Sequence, residues 1–338
     1  MSRKKWIAPP IAHRHDILIL FEVTNGNPNG DPDSGNQPRV DALSQRGLVS
    51  DVCLKRKIRN YVELFPPTAN GKSHKILVRQ GAVLNREQEK AVEATKDPEA
   101  AEKEKGKAKV KSDGDHARRV KDWLCHEFFD VRTFGAVIST GSEVMKGSAY
   151  GQIRGPAQFS FGQSFDPISP QEITITRCAV TKEEDAAKER TMGQKYIVPY
   201  GLYAARCYVS PAFAENTGFD QADFDLLVEA LSHLFEHDRS AARGDMVVRG
   251  LLDFEHVGTQ AESNAEQNRR EAKLGCAHAH ELFESVSVDL KDKDKTRPPQ
   301  SFTDYTVKVD GWDREGRSTR FPGVVLHRRV DPERNPST

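Results

Sequence analysis

The first clear pattern in the chain is an apolar run, Ile17 to Phe21, followed by a dense cluster of turn-forming residues. That cluster, here called the Gly/Asn loop, reads Asn25-Gly26-Asn27-Pro28-Asn29-Gly30-Asp31-Pro32. Residues of these types neither continue a strand nor start a helix, so they predict an ordered loop with exposed backbone N–H groups. Further on, one buried helical face is predicted by the spacing of Leu54, Ile58, Tyr61 and Phe65. The pattern predicts a strand, a loop and a helix in succession.

Alternating apolar and polar residues predict more strands downstream. Residues 172–180 alternate with period two, and a polar stretch separates them from residues 195–200, so the two segments predict a hairpin that extends from the core. Residues 224–235 have the spacing of an amphipathic helix capped near Asp220. Other strand candidates are 131–138, 203–210, 246–254, 285–290 and 305–309. Because strands dominate and do not alternate strictly with helices, the predicted fold class is α+β.

A charged segment separates the first helix from the next core signals. Pro66-Pro67 ends the helical pattern, and residues 87–121 are rich in Ala, Glu and Lys. In the centre of this segment lysine recurs at every second residue, which gives no coherent helical face. The segment therefore reads as an insertion, favoured as a solvated connector, with a dedicated binding arm as the alternative.

Composition narrows the class of protein. The chain has 338 residues, of which 37% are apolar and 30% charged, and this suits one large soluble core with insertions. Fifty basic residues balance fifty acidic ones, so any nucleic-acid site must depend on local clustering of cations. No apolar run of about 18 residues and no apolar secretory segment is present, so we expect a cytoplasmic protein. Five cysteines without a CxxC pair suit reduced structural thiols.

The sequence signatures of common enzymes are missing. There is no GxxxxGK[ST], GxGxxG, HExxH or GxSxG, which argues against an ordinary nucleotide-binding enzyme, zinc hydrolase or esterase. Cys276, His278 and His280 would form a metal site if the segment were extended, but Gly275 favours a turn into a short helix. We therefore predict no metal site and no cofactor.

Two aspartates in and after the Gly/Asn loop leave a second reading open. Asp31 and Asp33 could hold a hard cation against a phosphodiester, as in a metal-dependent endoribonuclease. Capping of local turns is the favoured explanation, because aspartates in such turns commonly bind nearby backbone N–H groups. The endoribonuclease is kept as the alternative function.

Basic residues cluster on the first helix and after the second. Lys55 and Arg59 lie four residues apart on one helical face, and Ser50 stands where the helix would begin and would add a hydroxyl and N–H groups. Residues 237–245 combine Arg239 and Arg243 with small residues, as a loop close to a phosphate backbone would need. Solvated helix faces and an ordinary helix C-terminus are the competing explanations. Together the clusters suggest a platform that holds a polyanion.

Several motifs occur in an order that resembles a known family. They are residues 27–32 (NPNGDP), 54–59 (LKRKIR), 175–177 (ITR), 191–193 (TMG), 198–203 (VPYGLY) and 238–244 (DRSAARG). The series is similar to the repeated backbone subunit of the type I CRISPR interference complex, Cascade, and most closely to its subtype I-C form. The resemblance runs from about residue 16 to residue 333.

The resemblance implies a fold and a division into parts. It implies an RRM-like (ferredoxin-like) palm formed by residues 12–65, 126–165 and 197–330. It also implies a charged helical insertion, the fingers, at 66–125 and a protruding thumb hairpin at 166–196. Copies of such a subunit stack head to tail along one CRISPR RNA and present it for pairing with target DNA, so sequence reading belongs to base pairing. Implied partners are the CRISPR RNA, target DNA, further copies of the chain, and the processing, large and small subunits.

Site residues follow from the motifs and the basic clusters together. The expected RNA-binding residues are Asn25, Asn27, Asn29, Arg39, Ser50, Lys55, Arg56, Arg59, Arg154, Arg177, Lys195, Arg239, Ser240 and Arg243. Met192 is the expected wedge at the thumb tip, and possible contacts to target DNA are Lys105, Lys107, Lys109 and Lys111. The aromatic RNP1 pattern of ordinary RRM domains is missing, so base stacking on the sheet is not expected. We expect a subunit without catalytic activity.

Overall fold

The computed structural model describes residues 8–66, 68–69, 72–96, 114–138, 144–176, 178–179, 192–260, 263–294 and 296–334. The helices are α1 (Asp51–Val62), α2 (Leu84–Ala94), α3 (Gly114–Glu127), α4 (Phe129–Phe134), α5 (Pro211–Thr217), α6 (Gln221–Ser232), α7 (Ala265–Leu274) and α8 (Ala279–Glu284). Two short 3-10 helices span Pro32–Ser34 and Phe302–Asp304.

The longer strands are β1 (His15–Gly26), β4 (Arg46–Val49), β10 (Gly162–Pro167), β11 (Gln171–Thr176), β12 (Met192–Val209), β13 (Asp245–His256), β14 (Val286–Leu290), β15 (Tyr305–Val309) and β16 (Val324–Val330). The shorter strands are β2 (Gly30–Asp31), β3 (Gln37–Pro38), β5 (Thr68–Ala69), β6 (Lys72–Ser73), β7 (Gly135–Val137), β8 (Gln152–Arg154) and β9 (Ala157–Phe159). This mixture of helices and strands agrees with the predicted α+β class.

A large antiparallel sheet organises the fold. Its strand order is β16-β13-β1-β12-β10-β4, and β9 and β11 also pair with β12. Strand β12 is 18 residues long, so its outer edge can pair with β9, β10 and β11 at successive levels while its other edge pairs with β1. Every pairing within this sheet is antiparallel.

Strand β1 lies at the centre of the sheet and is buried on both faces. Ile17, Ile19 and Phe21 join one apolar cluster, formed with α1 and α6, whereas Leu18 and Leu20 join a second cluster on the opposite face. Successive side chains of a strand point to opposite faces, so a continuous apolar run is what a strand between two layers requires. The run Ile17 to Phe21 therefore specifies a central strand.

The face of the sheet opposite α1 and α6 is covered by the C-terminal part of the chain. Leu252 and Phe254 of β13 pack there with Leu282 and Phe283 of α8, and with residues of the β14–β15 hairpin. Trp312 adds its ring against Phe254 at a centroid distance of 5.4 Å. This cover occupies the β13 side of the face of the sheet that lies opposite α1 and α6.

A hairpin formed by β11 and the first part of β12 extends from the sheet. Gln171 pairs with Ile197 and Thr176 with Met192, in an antiparallel register without a shift. All residues of β11 are exposed, and β12 becomes buried only from Val198 onward. The predicted hairpin is thus present in the described residues; its role as a thumb remains a prediction.

The helices of the inserted segment pack around a third apolar cluster. Leu77, Ala91 of α2 and Leu124 of α3 meet Phe128 and Ile153, which belong to the predicted palm. The described helices of segment 66–125, which the sequence predicts to be an insertion, thus pack against residues of the predicted palm. The lysine-rich centre of the insertion lies outside the described residues.

A buried group of charges, here called the insertion clamp, ties the insertion to α6. Lys72 Nζ donates to Asp220 at 2.7 Å and to Asp223 at 2.5 Å, and the Arg132 guanidinium donates to both oxygens of Asp223. Burial raises the pKa of Asp223, but the two cations outweigh this and leave that pKa below its ordinary value. The carboxylate therefore stays charged inside the fold.

Two local predictions from the sequence are wrong. Residues 131–138, predicted as a strand, form the end of α4 followed by the short strand β7. In this helical turn all residues are buried, and Arg132 pairs with Asp223 inside the fold, a tertiary contact that the local pattern does not reveal. Phe65, predicted on the buried face of α1, lies beyond the end of that helix and is 39% exposed against Tyr61.

Other predicted elements are confirmed. Helix α6 begins at Asp220, whose side chain accepts from the backbone N–H of Asp223 in a reciprocal capping box. The strands predicted near 246–254, 285–290 and 305–309 are β13, β14 and β15. All five cysteines are free thiols. Among the described residues, no helix is both long and apolar enough to cross a lipid bilayer.

Candidate nucleic-acid interface

The Gly/Asn loop is locked by hydrogen bonds to two other segments. Asn25 adopts a left-handed backbone conformation with a φ of 49°, which turns the chain at the end of β1. The Asn27 backbone N–H then donates to the Ala242 carbonyl at 2.6 Å, and its side-chain amide donates to the Asn36 carbonyl at 2.7 Å. The Asn27 side-chain oxygen is buried and has no hydrogen-bond partner in the described part of the chain. The loop is therefore fixed against the segment that follows α6.

The backbone at Gly30 lies close to the side chain of Asn36. A Cβ atom at Gly30 would overlap the side-chain amide of Asn36. Asp31 follows directly, accepts from the backbone N–H of Asp33 at 3.2 Å, and so caps the first 3-10 helix. The guanidinium of Arg39 contacts the Asp31 carboxylate at 3.3 Å. Arg39 therefore helps to hold the loop, and its partially exposed side chain faces a carboxylate.

Asn29 connects the loop to the start of α1. Its side-chain oxygen accepts from the backbone N–H of Ser50 at 2.8 Å and from the Ser50 hydroxyl at 2.9 Å. The same hydroxyl accepts from the Cys53 N–H at 3.3 Å and caps the helix, as the sequence predicts. Cys53 packs beneath the loop, and burial raises the pKa of its thiol. Asn29 and Ser50 thus act together as a joint between loop and helix.

The cations of α1 differ in what they contact. Lys55 pairs with Asp51 at 2.9 Å, and the Arg59 Nε donates to the buried carboxylate of Asp130 at 2.9 Å. Both side chains are largely buried, so the prediction that they form an exposed basic face is wrong; the ring of Phe134 lies beside both of them. In contrast, Arg56 is exposed and has no ion-pair partner among the described residues.

The loop after α6 is built around Asp238. Its carboxylate contacts Lys57, a buried cation of α1, and accepts from Arg243 at 3.2 Å. Arg243 also donates to the Ser240 hydroxyl at 3.4 Å and remains 42% exposed. Arg239 pairs with Glu236 at the surface. We call Lys57, Asp238 and Arg243 the loop cluster. These three side chains join α1 to the 238–244 loop, in which the Ala242 carbonyl accepts from the Asn27 N–H.

Arg154 lies on β8, three residues before Ala157 of β9, which pairs with Val209 opposite the start of β1. Its backbone pairs with Gly135, the residue after Phe134, and its side chain is exposed. Glycine is needed at position 155, because a Cβ atom there would overlap the backbone of Thr133, Phe134 and Gly135. This close approach brings the backbone that follows Arg154 against the backbone of Phe134, whose ring Lys55 and Arg59 flank.

The hairpin residues approach the site from another direction. Gly26 at the end of β1 pairs with Val198, so the hairpin leaves the sheet beside the Gly/Asn loop. Lys195 is three residues further out and exposed, and Met192 is 70% exposed. Arg177 and the four lysines Lys105, Lys107, Lys109 and Lys111 lie outside the described residues.

The tertiary structure therefore brings most predicted site residues to one end of the sheet. The Gly/Asn loop, the start of α1 and the 238–244 loop are joined by direct hydrogen bonds, and the hairpin begins beside them. The sequence analysis did not identify the residues that hold these side chains in place, namely Asn36, Asp130 and Asp238. No signal in the pattern marks these partners, because each is distant in sequence from at least one residue that it holds.

The residues considered as metal ligands from the sequence do not form one group in the described part of the chain. Asp31 is engaged as a cap and by Arg39, and Asp33 is exposed. Among the described residues, no group of three or more His, Cys, Asp or Glu side chains is arranged to hold a metal ion. The rings of His278 and His280 stack at 5.7 Å at the start of α8, where Gly275 allows the predicted turn.

The sequence match identifies the family. Residues 13–310 match the family model described as CRISPR-associated protein Cas7, so this chain belongs to the Cas7 family. A curated relative, the CRISPR-associated protein Cas7 of Haloferax volcanii, is 25% identical over 232 residues, which cover 64% of this chain and 62% of the relative. The chain thus spans less than two thirds of the length of that relative.

Partial structural similarity is found to chains of three solved CRISPR assemblies. A chain of a CRISPR RNA-guided surveillance complex, pre-nicking, has a TM-score of 0.43 and 17% identity over 71% of this chain and 78% of its own length. A chain of a CRISPR RNA-guided surveillance complex has a TM-score of 0.40 and 14% identity, covering 71% and 68%. A chain of the Type III-B Cmr-beta complex bound to cognate target RNA has a TM-score of 0.36 and 10% identity. The match covers 71% of this chain and 60% of that chain.

Proposed function

We propose that this Cas7-family chain is a non-catalytic subunit that binds CRISPR RNA and polymerises along it as the backbone of a type I-C Cascade complex. The observation that carries the proposal is the joint between the Gly/Asn loop, the Ser50-capped helix α1 and the 238–244 loop. Backbone N–H groups, hydroxyls and arginines meet at this joint, and these are the groups that bind phosphodiester backbones without reading sequence.

The strand order supports an RRM-like palm as part of the same proposal. Elements β1, α1, β10, β12, α6 and β13 follow one another in a βαββαβ sequence, with β13-β1-β12-β10 as neighbours in the sheet. We assign residues 12–65, 126–165 and 197–330 to the palm, 66–125 to the fingers and 166–196 to the thumb. The thumb assignment draws on the exposed β11–β12 hairpin, with Met192 as its wedge.

Partners follow from the proposed assembly. Overall charge neutrality suits a subunit that must stack against copies of itself while it holds RNA through local clusters. The further partners are target DNA, paired to the guide, and the processing, large and small subunits of the complex, in the cytoplasm. The lysines at 105, 107, 109 and 111 are assigned to target DNA as part of this proposal.

The alternative function is a metal-dependent endoribonuclease that uses Asp31 and Asp33. Its motivation is the pair of aspartates beside a loop that suits phosphate. The capping role of Asp31 and its contact with Arg39 favour the structural explanation. Incubation with labelled RNA and Mg²⁺ separates the two: steady cleavage that Asp31→Ala or Asp33→Ala abolishes would replace our proposal with the endoribonuclease.

The central experiment measures RNA affinity against salt. Arg56 and Arg154 are exposed and have no ion-pair partner among the described residues, so we expect the fold to tolerate reversal of their charge. We expect Arg56→Glu with Arg154→Glu to weaken binding of a single-stranded RNA at least about tenfold and to make the salt slope shallower by about one for each arginine–phosphate ion pair that the variant cannot form. Fluorescence anisotropy from 50 to 300 mM salt, roughly, reports both quantities.

A matched control is Arg269→Glu with Arg270→Glu on the exposed surface of α7, which reverses two charges as the test variant does. This variant carries the same type of charge reversal and should bind RNA as the wild type does. Equal losses in the control and the test variant would mean that binding follows net charge alone. Light scattering with the absorbance ratio of the RNA-bound material then reports the assembly, and a monomer that never takes up RNA contradicts the proposal.

A further inference from the structure

Phe161 is an exposed aromatic residue that the proposed phosphate contacts do not use. Its side chain is 57% exposed, and no ring or cation among the described residues stacks on it. Phe65, another exposed phenylalanine, instead lies against the ring of Tyr61 at 5.3 Å. More than half of the Phe161 side chain is exposed to water, so covering that surface with a flat partner would be favourable.

A β-bulge directs Phe161 outward. Phe159 pairs with Cys207, but Gln163 pairs with Ala204, so the β9–β10 side has one more residue than β12 over this stretch. Gly162, the next residue, lies against Val49 and Ala205 on the face covered by α1. Bulges re-aim side chains in this way, frequently beside functional sites.

The surroundings of Phe161 connect it to the Gly/Asn loop. Gly162 pairs with Val49, so one step further along the same register Phe161 comes opposite Ser50, whose hydroxyl binds Asn29. Across on β12, the Arg206 carbonyl accepts from the N–H of Ser160 at 2.9 Å, which places Arg206 beside the bulge. Arg206 is exposed, and its guanidinium lies over Phe283 at the border of the C-terminal cover.

We infer that Phe161 is a stacking platform for one base of a single-stranded nucleic acid whose backbone lies on the joint of Asn29 and Ser50. This inference rests on the proposed function and extends it from phosphate contacts to a base contact. An exposed phenyl ring next to a hydroxyl, a helix start and an arginine combines the stacking surface and the polar groups that single-strand binding proteins use. The stacking tolerates any base, since each has a flat aromatic face.

The competing explanation is a contact with another protein through Phe161 and Val52, which is 64% exposed two residues after Ser50. Protein interfaces usually cluster several large apolar residues at their centre. The residues around Phe161 are instead polar: Ser160 precedes it, Gln163 follows in β10, and Arg206 lies across on β12. The surroundings therefore favour a nucleobase.

The test compares two oligonucleotides of equal length and charge, one with uracil bases and one entirely abasic. Wild-type protein should bind both, and the uracil strand more tightly. Phe161→Ala should lose roughly 5- to 150-fold in affinity for the uracil strand, the range for one stacked base. Its affinity for the abasic strand should stay unchanged. Phe161→Trp should restore binding, and its fluorescence should be quenched by the uracil strand but not by the abasic strand.

Phe65→Ala is the matched control, because it removes an exposed phenyl ring at the other end of α1 and should leave both affinities unchanged. If wild-type protein binds neither strand, the proposed function itself fails. If it binds both strands but Phe161→Ala changes neither affinity, or lowers both equally, the stacking platform is excluded while phosphate binding stands. A loss of self-assembly at unchanged base preference would assign Phe161 to a protein contact.

Discussion

The insertion clamp and the loop cluster are built from the same kinds of residues, yet they differ in what they leave free. In the clamp, Lys72 and Arg132 meet Asp220 and Asp223 in a buried group in which both cations are bound by carboxylates. In the loop cluster, Asp238 bridges the buried Lys57 and the partly exposed Arg243. Charge type alone therefore does not tell a structural cation from one that can meet a ligand; burial and pairing do.

The difference has a physical cause. A buried charge must be compensated within the protein, because the low-dielectric interior penalises an isolated ion strongly. The clamp meets this requirement completely and so joins the insertion to α6 as a fixed unit. An arginine at the surface keeps its water and can exchange it for phosphate oxygens at little cost. Arg56, Arg154 and Arg243 are in this second position.

Breaking the clamp should have the largest effect on stability. Asp223→Asn leaves Lys72 and Arg132 without their shared carboxylate inside the fold, so we expect a loss of about 3 to 5 kcal/mol in the free energy of unfolding. Urea denaturation measures this loss. Asp225→Asn, on the exposed side of α6, is the control and should stay within about 0.5 kcal/mol of wild type. Equal stabilities of the two variants would mean that the clamp is dispensable.

The corresponding change in the loop cluster should lower the free energy of unfolding by less than the change in the insertion clamp. Lys57→Met removes a buried cation but keeps a side chain of similar length, and Asp238 retains Arg243 as a partner. We expect a loss of about 2 kcal/mol in the same urea experiment. Lys72→Met in the clamp is the matched comparison and should lose more. If the Lys57 variant proved the less stable of the two, the distinction between the regions would be wrong.

The carboxylate of Glu255, which lies beside the start of β1, allows a test by pH of whether paired charges stabilise the fold. Hydrogen bonds from His13 and then His327 lower the pKa of Glu255 below its ordinary value of 4.5. Because the folded pKa is the lower one, the stabilisation is present above about pH 4.5 and is lost as the pH falls below it.

Glu255→Gln removes this titration. Between pH 7 and pH 3, roughly, the variant should lose about 1 to 2 kcal/mol less stability than wild type. Thermal unfolding at a series of pH values gives the comparison, with exposed Glu266→Gln as the control. Parallel curves for wild type and the Glu255 variant would show that these histidine contacts do not stabilise the fold.

The smallest effect should come from the joint between loop and helix. Ser50→Ala removes the cap of α1 and leaves the Asn29 side chain with a single partner, so we expect a loss of about 1 kcal/mol. Ser50→Asp keeps a capping oxygen but adds a negative charge, so it should retain more of the helix stability and yet weaken RNA binding. If both variants bound RNA as wild type does, Ser50 would have no part in the interface.

Local sequence features predicted those parts of the protein that depend on neighbouring residues. The run Ile17 to Phe21 specified a buried strand, and Ser50 and Asp220 marked the starts of two helices. Each of these signals acts within a few residues, through side-chain alternation or through capping of free N–H groups. The order of the motifs also suggested a CRISPR backbone subunit, and the match to residues 13–310 shows that the chain belongs to the Cas7 family, while the I-C subtype stays a proposal.

The tertiary structure alone decided how each charged residue is used. Arg59 and Arg56 look equivalent in the sequence, but Arg59 is bound to Asp130, 71 positions away, whereas Arg56 is exposed. In the sequence, Phe161 resembles a core residue. In the structure, the bulge beside Gln163 and the packing of Gly162 direct its side chain outward. Ion pairs and bulges depend on residues far apart in the chain, so the amino-acid pattern determines the elements, and their packing determines which side chains remain free to bind.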